Sequence, residues 1–329
     1  MIGTCIAKKQ GMLKFIGCLV ATLLIAVSPA SAWPDRPVRV IVGFQAGGST
    51  DVVARLLADR LRAQFNGASF IVENKPGANG LIAAEVMRNA HDGHTLLIAG
   101  DSYVLAPLIS TSVKVHPLTD FKMISTICEG TVILLAAPNA PFKTFADMVA
   151  YARANPGKLN YVSSGIGNPQ HLVGEYLAGE LKLDMVHVPS RGGGQAVNDL
   201  VAGQIPMGIL GLGPTLSHVK GGTLTPLAVT VDRRLPQLPD VPTLSELGVK
   251  NFVVAQWFGL VGPSDMPDDV AERLSKAVAG ALDDAGVRKR YEEIGFMTGA
   301  STPGELRAKM QHDEGMWKKV VQERNIKID

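Results

Sequence analysis

Val38-Arg-Val-Ile-Val-Gly43-Phe-Gln-Ala-Gly47-Gly48-Ser49-Thr50-Asp51 decides the fold. An apolar β-branched run stops at a glycine-rich turn. Ser49, Thr50 and Asp51 then open a segment with apolar residues at helical spacing, Val53, Leu56, Leu57 and Leu61. The stretch reads as strand, tight turn, helix. At such a turn the first backbone N–H groups of the helix point outward and the helix dipole adds partial positive charge, so a small anion can sit there without a cationic side chain. An ordinary strand-to-helix connection that binds nothing has the same pattern. The G-x-x-x-G-G spacing is neither the G-x-G-x-x-G dinucleotide fingerprint nor a phosphate loop.

The same pattern continues outward. Val38–Val42, a helix from Asp51, Ser69–Glu73, a helix near Gly80–Arg88 and Thr95–Ala99 make a β-α-β-α-β unit, the signature of a mostly parallel sheet. Asn74-Lys75-Pro76-Gly77-Ala78-Asn79-Gly80 is a turn-rich loop, and Asp101-Ser102-Tyr103 reads as a polar turn at a strand end, close to the first. Met123–Ile127 and Val132–Ala137 read as separate strands, the latter carrying the chain into a second unit over about 131–254. There Thr144 and Asn168 are expected helix caps, with Pro169 at the first helical position. Ser163-Ser164-Gly165 and Pro189-Ser190-Arg191-Gly192-Gly193-Gly194 are further turns before helices. Strands are expected at Ile205–Leu210, Leu224–Val231 and Phe252–Val261. Helices follow from about Pro267 to Asp284 and from Pro303 to near Glu323, the last with a Thr302/Glu305 capping box.

The first 32 residues differ from the rest. Lys8, Lys9 and Lys14 precede an apolar run from Phe15 to Val27, and Ala30-Ser31-Ala32 ends the segment. This is the pattern of a secretory signal peptide cleaved after Ala32, and the run is too short to span a bilayer. Export to the periplasm is therefore expected. Removal leaves 29 basic against 30 acidic residues, which gives no basic patch for nucleic acid. Cys5 and Cys18 leave with the signal, so Cys128 remains alone and reads as a buried small hydrophobe.

The seven histidines form no metal-ligand spacing, and no cofactor is expected. His171 and Glu175, four apart on one helix, read as a structural pair, with a ligand role left open. Gly100-Asp101-Ser102 resembles a nucleophile elbow without its final glycine, which keeps a secreted α/β serine hydrolase using Ser102 as an alternative. Arg191, flanked by glycine, is the cation best placed for a two-pronged carboxylate contact, and a solvated arginine on a turn fits equally.

With these residues assembled, the chain resembles the substrate-binding proteins of tripartite tricarboxylate transporters, the TctC or Bug-type family. The resemblance rests on Trp33-Pro-Asp-Arg-Pro-Val-Arg-Val-Ile-Val, Gly47-Gly48-Ser-Thr50-Asp51, Val72-Glu-Asn-Lys-Pro-Gly-Ala78, Asp92-Gly-His-Thr-Leu-Leu97, Ala154-Asn-Pro-Gly-Lys-Leu-Asn-Tyr161, His187-Val-Pro189, Pro239-Asp-Val-Pro-Thr243 and Trp257-Phe-Gly-Leu260. It implies an α/β periplasmic-binding-protein fold of type II, with lobe 1 from 33–130 plus 255–329, lobe 2 from 131–254, and a small organic carboxylate clasped between them. It also implies a membrane permease of the tripartite type or a sensor kinase as partner; a monomer without catalytic activity is expected. Carried over by motif, the ligand residues would be Phe44, Gly47, Gly48, Thr50, Asp51, Asp101 and Ser102 on the first lobe. Ser163, Ser164, Gly165, His171, Ser190, Arg191 and Gly192 would face them on the second. The chain departs from the family at Gly43 and Ala46, where prolines are usual, at Ser190-Arg191 in place of Tyr-Lys, and at Pro206. The Ser190 change predicts a roomier cleft, suited to a larger or ring-bearing acid.

Overall fold

The computed structural model describes residues 33–249, 253–324 and 326–327; the expected signal peptide and Phe252 lie outside them. Residues 37–329 form one unit. In it the β-branched run becomes strand β1 (Val38–Val42), and α1 (Ser49–Gln64) buries Val53, Leu57 and Leu61. Then come β2 (Phe70–Asn74), α2 (Leu81–Arg88), β3 (Thr95–Gly100), α3 (Asp101–Ile109), α4 (Pro117–Asp120) and β4 (Phe121–Ala136). The middle of the chain gives α5 (Phe145–Ala154), β5 (Leu159–Ser163), α6 (Pro169–Leu181), β6 (Met185–Pro189), α7 (Gly193–Val201), β7 (Met207–Gly211), α8 (Leu212–Lys220) and β8 (Thr225–Val229). It closes with β9 (Ala255–Pro263), α9 (Asp268–Asp283), α10 (Ala285–Glu293), β10 (Phe296–Thr298) and α11 (Pro303–Arg324).

The strands run in the order β2-β1-β3-β9-β4-β7-β5-β6. β1 pairs β2 and β3 in parallel, and β5 pairs β6 and β7 in parallel, so each end of the sheet is a parallel unit. Antiparallel β9 and β4 join them. Helices cover both units, which is why β1, β3 and β7 are almost continuously apolar and buried. One core gathers around Val132–Leu135, Leu172 and Leu200, another around Ile41, Leu97, Tyr103 and Trp257. Cys128 is buried, and burial pushes its thiol well above the usual range.

Several expectations need correction. Met123–Ile127 and Val132–Ala137 are parts of one strand, since β4 continues through Glu129-Gly130-Thr131. Its first part pairs β9 and its last residues pair β7 and β8. The polar turn at Asp101 is already the first residue of α3. Helix α8 was hidden by Gly213 and Pro214; the proline sits in the first turn, where a missing N–H costs nothing. The segment after Asp284 holds α10 and β10, with the Asp284 carboxylate accepting from the Val287 N–H at 2.9 Å. The caps at Thr144, Asn168 and Thr302 are present as expected.

Candidate functional site

Besides α2 at Gly80, four helices begin at a glycine with no capping side chain: α1 at Gly48, α3 at Gly100, α7 at Gly192 and α8 at Gly211. Each follows a turn or strand end at the carboxyl edge of the sheet, where ligands collect in open α/β folds. First-turn residues of all four, including Thr50, Ser102, Gly193 and Pro214, line one inner cavity of about 20 Å³, room for a single water-sized group. Among the described residues, no charged side chain lines it. Convergent helix N-termini give it positive potential without a cation. Helix α6 is the contrast: its Asn168 Oδ1 accepts the His171 N–H at 2.9 Å, and its N-terminus is spoken for.

Glycine is needed where the turns meet. A methyl group on Gly194 would stand 2.7 Å from the Ala46 carbonyl oxygen, and one on Gly192 3.0 Å from the Gln45 nitrogen. The 45–48 and 192–194 turns thus touch through bare backbone. Beside them opens an outer chamber of about 750 Å³, with Phe44, Leu81, Ile109, Val113 and Ile166 among its apolar walls. Among the described residues lining it, Arg191 carries the only charge.

The first turn is braced from within. Asp51 accepts from the Gly47 N–H at 3.1 Å, from Arg55 at 2.9 and 3.0 Å, and from Asn74 Nδ2 at 3.0 Å. Burial pushes its carboxyl up, but the hydrogen bonds from Arg55, Gly47 and Asn74 outweigh this and hold it below the usual range. Asn74 also donates to the Phe44 carbonyl at 3.0 Å.

The second turn rests on a stacked aromatic column. The rings of Tyr161 and His187 lie 5.0 Å apart and those of His187 and His171 4.1 Å apart. Ser163 Oγ donates to the Gly165 carbonyl at 2.8 Å, so its 2.7 Å contact with His187 Nε2 is a bond donated by the imidazole. Burial, with the neighbouring His171, lowers the His187 pKa to about 3, so the ring is neutral. His171 Nδ1 accepts the Gly167 N–H at 3.1 Å, which leaves Nε2–H facing Glu175 at 3.5 Å. Both rings are occupied in holding the turn.

Behind Ser102 lies a buried relay. Asp101 accepts the Trp257 N–H at 3.0 Å, Trp257 Nε1 donates to Asp313 at 2.7 Å, and Lys309 approaches Glu129 at 3.1 Å and Asp313 at 3.9 Å. Burial and the like charge of Asp313 raise Asp101 to about 8, so at neutral pH it places no negative charge behind the anion-attracting cavity.

Phe44, Gly48, Thr50, Ser102 and Ser164 therefore meet on the inner cavity. Phe44, Ser164, Gly165, Ser190 and Arg191 meet on the outer chamber. Gly47 faces a neighbouring groove of about 540 Å³, and Asp101 a space of about 10 Å³ behind Ser102. Asp51, Ser163, His171 and Gly192 line none of these spaces and shape the turns instead. Sequence reasoning missed Asn79, Gln170 and Gln256. Gln170 Oε1 accepts the Ser164 N–H at 2.9 Å, and Gln256 Oε1 is buried beside the inner cavity without a partner among the described residues. Only the glycine-rich setting of Asn79 could have signalled its place. The hydrolase alternative finds no support: among the described residues, no histidine lines the spaces that Ser102 faces.

Solved structures define the class. The chain superposes on a protein from R. palustris solved with adipate, with TM-score 0.86 and 30% identity over 90% of this chain and 99% of that one. It matches MatC from Rhodopseudomonas palustris, solved with bound malate, with TM-score 0.81 and 31% identity over 88% and 100% of the two chains. BugT of Bordetella pertussis is 31% identical over 322 residues, 96% of this chain and 98% of that protein. The architecture is that of a periplasmic binding protein. Residues 53–326 match the tripartite tricarboxylate transporter family receptors, and the chain belongs to that family.

Proposed function

We propose that the protein is a non-enzymatic, exported solute-binding protein that captures a small organic carboxylate and hands it to a tripartite-type permease or a sensor. One observation carries this reading: four uncapped helix N-termini converge on a cavity without charged walls among the described residues, beside a chamber where Arg191 is the only lining charge among them. Such a site attracts an anion and offers hydrogen-bond donors to carboxylate oxygens. The apolar walls of the chamber suit the body of a larger or ring-bearing acid. The relatives solved with adipate and malate support the carboxylate class.

Residues 33–130 with 255–329 act as one jaw and 131–254 as the other, hinged where β4 and β9 cross between them. Backbone contact of Ala46 with Gly194 supports the turns as the closing faces. The mature protein starts after Ala32 and works as a monomer in the periplasm. Ligand-stripped protein is tested by thermal shift against aliphatic diacids, citrate and aromatic acids. A saturable rise in Tm with at least one acid is expected, and no shift with any of them overturns the reading. Ester hydrolysis by wild type but not by Ser102→Ala would overturn the non-enzymatic assignment.

A further inference from the structure

The loop from Gly77 to Gly80 runs through four consecutive left-handed residues, with φ of 133° at Gly77, 46° at Ala78, 52° at Asn79 and 91° at Gly80. Two of them carry a Cβ, and such conformations persist only where surrounding structure holds them. Here the Gly80 N–H donates to the Gly77 carbonyl at 3.0 Å, and the buried Tyr103 hydroxyl donates to the Gly80 carbonyl at 3.2 Å. Asparagine is one of the few side-chain-bearing residues that enter this region readily.

The turn carries the Asn79 amide across to the 165–167 turn. A methyl on Gly165 would lie 3.5 Å from Asn79 Oδ1, and one on Gly167 3.8 Å from Nδ2. Both amide atoms are buried, and neither has a hydrogen-bond partner among the described residues. Burying a donor and an acceptor together without partners is costly, and native structures rarely tolerate it without a reason. Asn79 also lines the outer chamber, with Ser164 and Arg191.

We propose that Asn79 is a specificity residue that reads a planar amide on the bound acid. A carboxamide or lactam presents its carbonyl to Nδ2 and its N–H to Oδ1 side by side. A second carboxylate satisfies Nδ2 but sets an acceptor against Oδ1, an ester end satisfies Nδ2 and leaves Oδ1 without a donor, and an alkyl end leaves both atoms unmatched. The ligand class is thus an organic acid bearing an amide, its carboxylate held at the helix N-termini and Arg191. This assignment rests on the carboxylate-binding reading above.

The test measures affinities of ligand-stripped protein for linear diacids from succinic to suberic, each as free diacid, monoamide and monomethyl ester. Wild type binds at least one monoamide about tenfold more tightly than its diacid and ester. Asn79→Gly, which suits the left-handed backbone and keeps the fold, brings the three within about twofold by weakening the monoamide alone. Diacid binding without a monoamide preference, or a preference that survives Asn79→Gly, overturns the role of Asn79 and leaves carboxylate capture standing. Failure of every acid to bind overturns both.

Discussion

Arg191 is exposed and makes no hydrogen bond or ion pair among the described residues, so its charge is available to an anion in the chamber. Arg191→Ala should weaken carboxylate binding by about tenfold or more, read by calorimetry, with the Tm of the ligand-free protein unchanged. Unchanged affinity would remove Arg191 from the site. Asp101 makes a prediction of opposite kind. Its folded pKa of about 8 lies above the ordinary carboxylate value, so the folded state holds a proton that the unfolded chain loses. That contribution is complete below the unfolded pKa and is lost as pH rises through the folded value. Tm should fall by a few degrees from about pH 5 to about pH 8.5, and Asp101→Asn should flatten much of this slope. At the level of residues the sequence shows types and spacing, which is why Gly48, Thr50, Ser102 and Arg191 could be singled out. It does not show where a side chain spends its hydrogen bonds. Asp51, Ser163 and His171, carried over by motif as ligand groups, spend hydrogen bonds inside the turns, while Asn79 looked like a loop residue and its amide has no partner among the described residues.

Helix starts were the most legible elements, because a cap is a local hydrogen bond between residues three apart. Asn168→Ala loses the Oδ1 bond to the His171 N–H and the Nδ2 bond to Ser164 Oγ at 2.9 Å. The cost should be about 1 to 2 kcal/mol, a drop in Tm of about 3 °C, with weaker ligand binding as the 163–167 turn loosens. Gly194 separates local from tertiary demands. Alanine is the better helix former, yet a methyl here meets the Ala46 carbonyl oxygen at 2.7 Å. Gly194→Ala should leave the ligand-free Tm unchanged or slightly raised and weaken ligand affinity by about tenfold, since the turns can no longer meet. Equal affinity would show that this contact is not part of closure. Helices α8 and α10 escaped the sequence reading for local reasons, a Gly-Pro pair inside the first turn of one and an Asp284 that looked like an end and is a beginning.

Across the whole molecule, β4 serves both parallel units: Phe121–Thr131 lie along β9, and Val132–Ala136 along β7 and β8. Its register shifts at Met123–Ser125 and Thr126–Cys128 supply local twist. Ligand binding should slow amide exchange together in residues 45–50 and 192–195, which are far apart in sequence and touch in space. Protection of only one segment would argue against a two-jaw clasp. The local signals, β-branched runs, glycine turns and caps, determined the α/β class and the series of turns, and the ordered motifs from Trp33 to Leu260 carried the resemblance to the family. Those signals are short-range, and the chain writes them within a few residues. The continuity of β4, the meeting of four helix N-termini on one cavity, the neutral Asp101 and the stranded amide of Asn79 came only from the tertiary structure. Each depends on burial and on distances between residues from different units, quantities that exist only once the chain has folded.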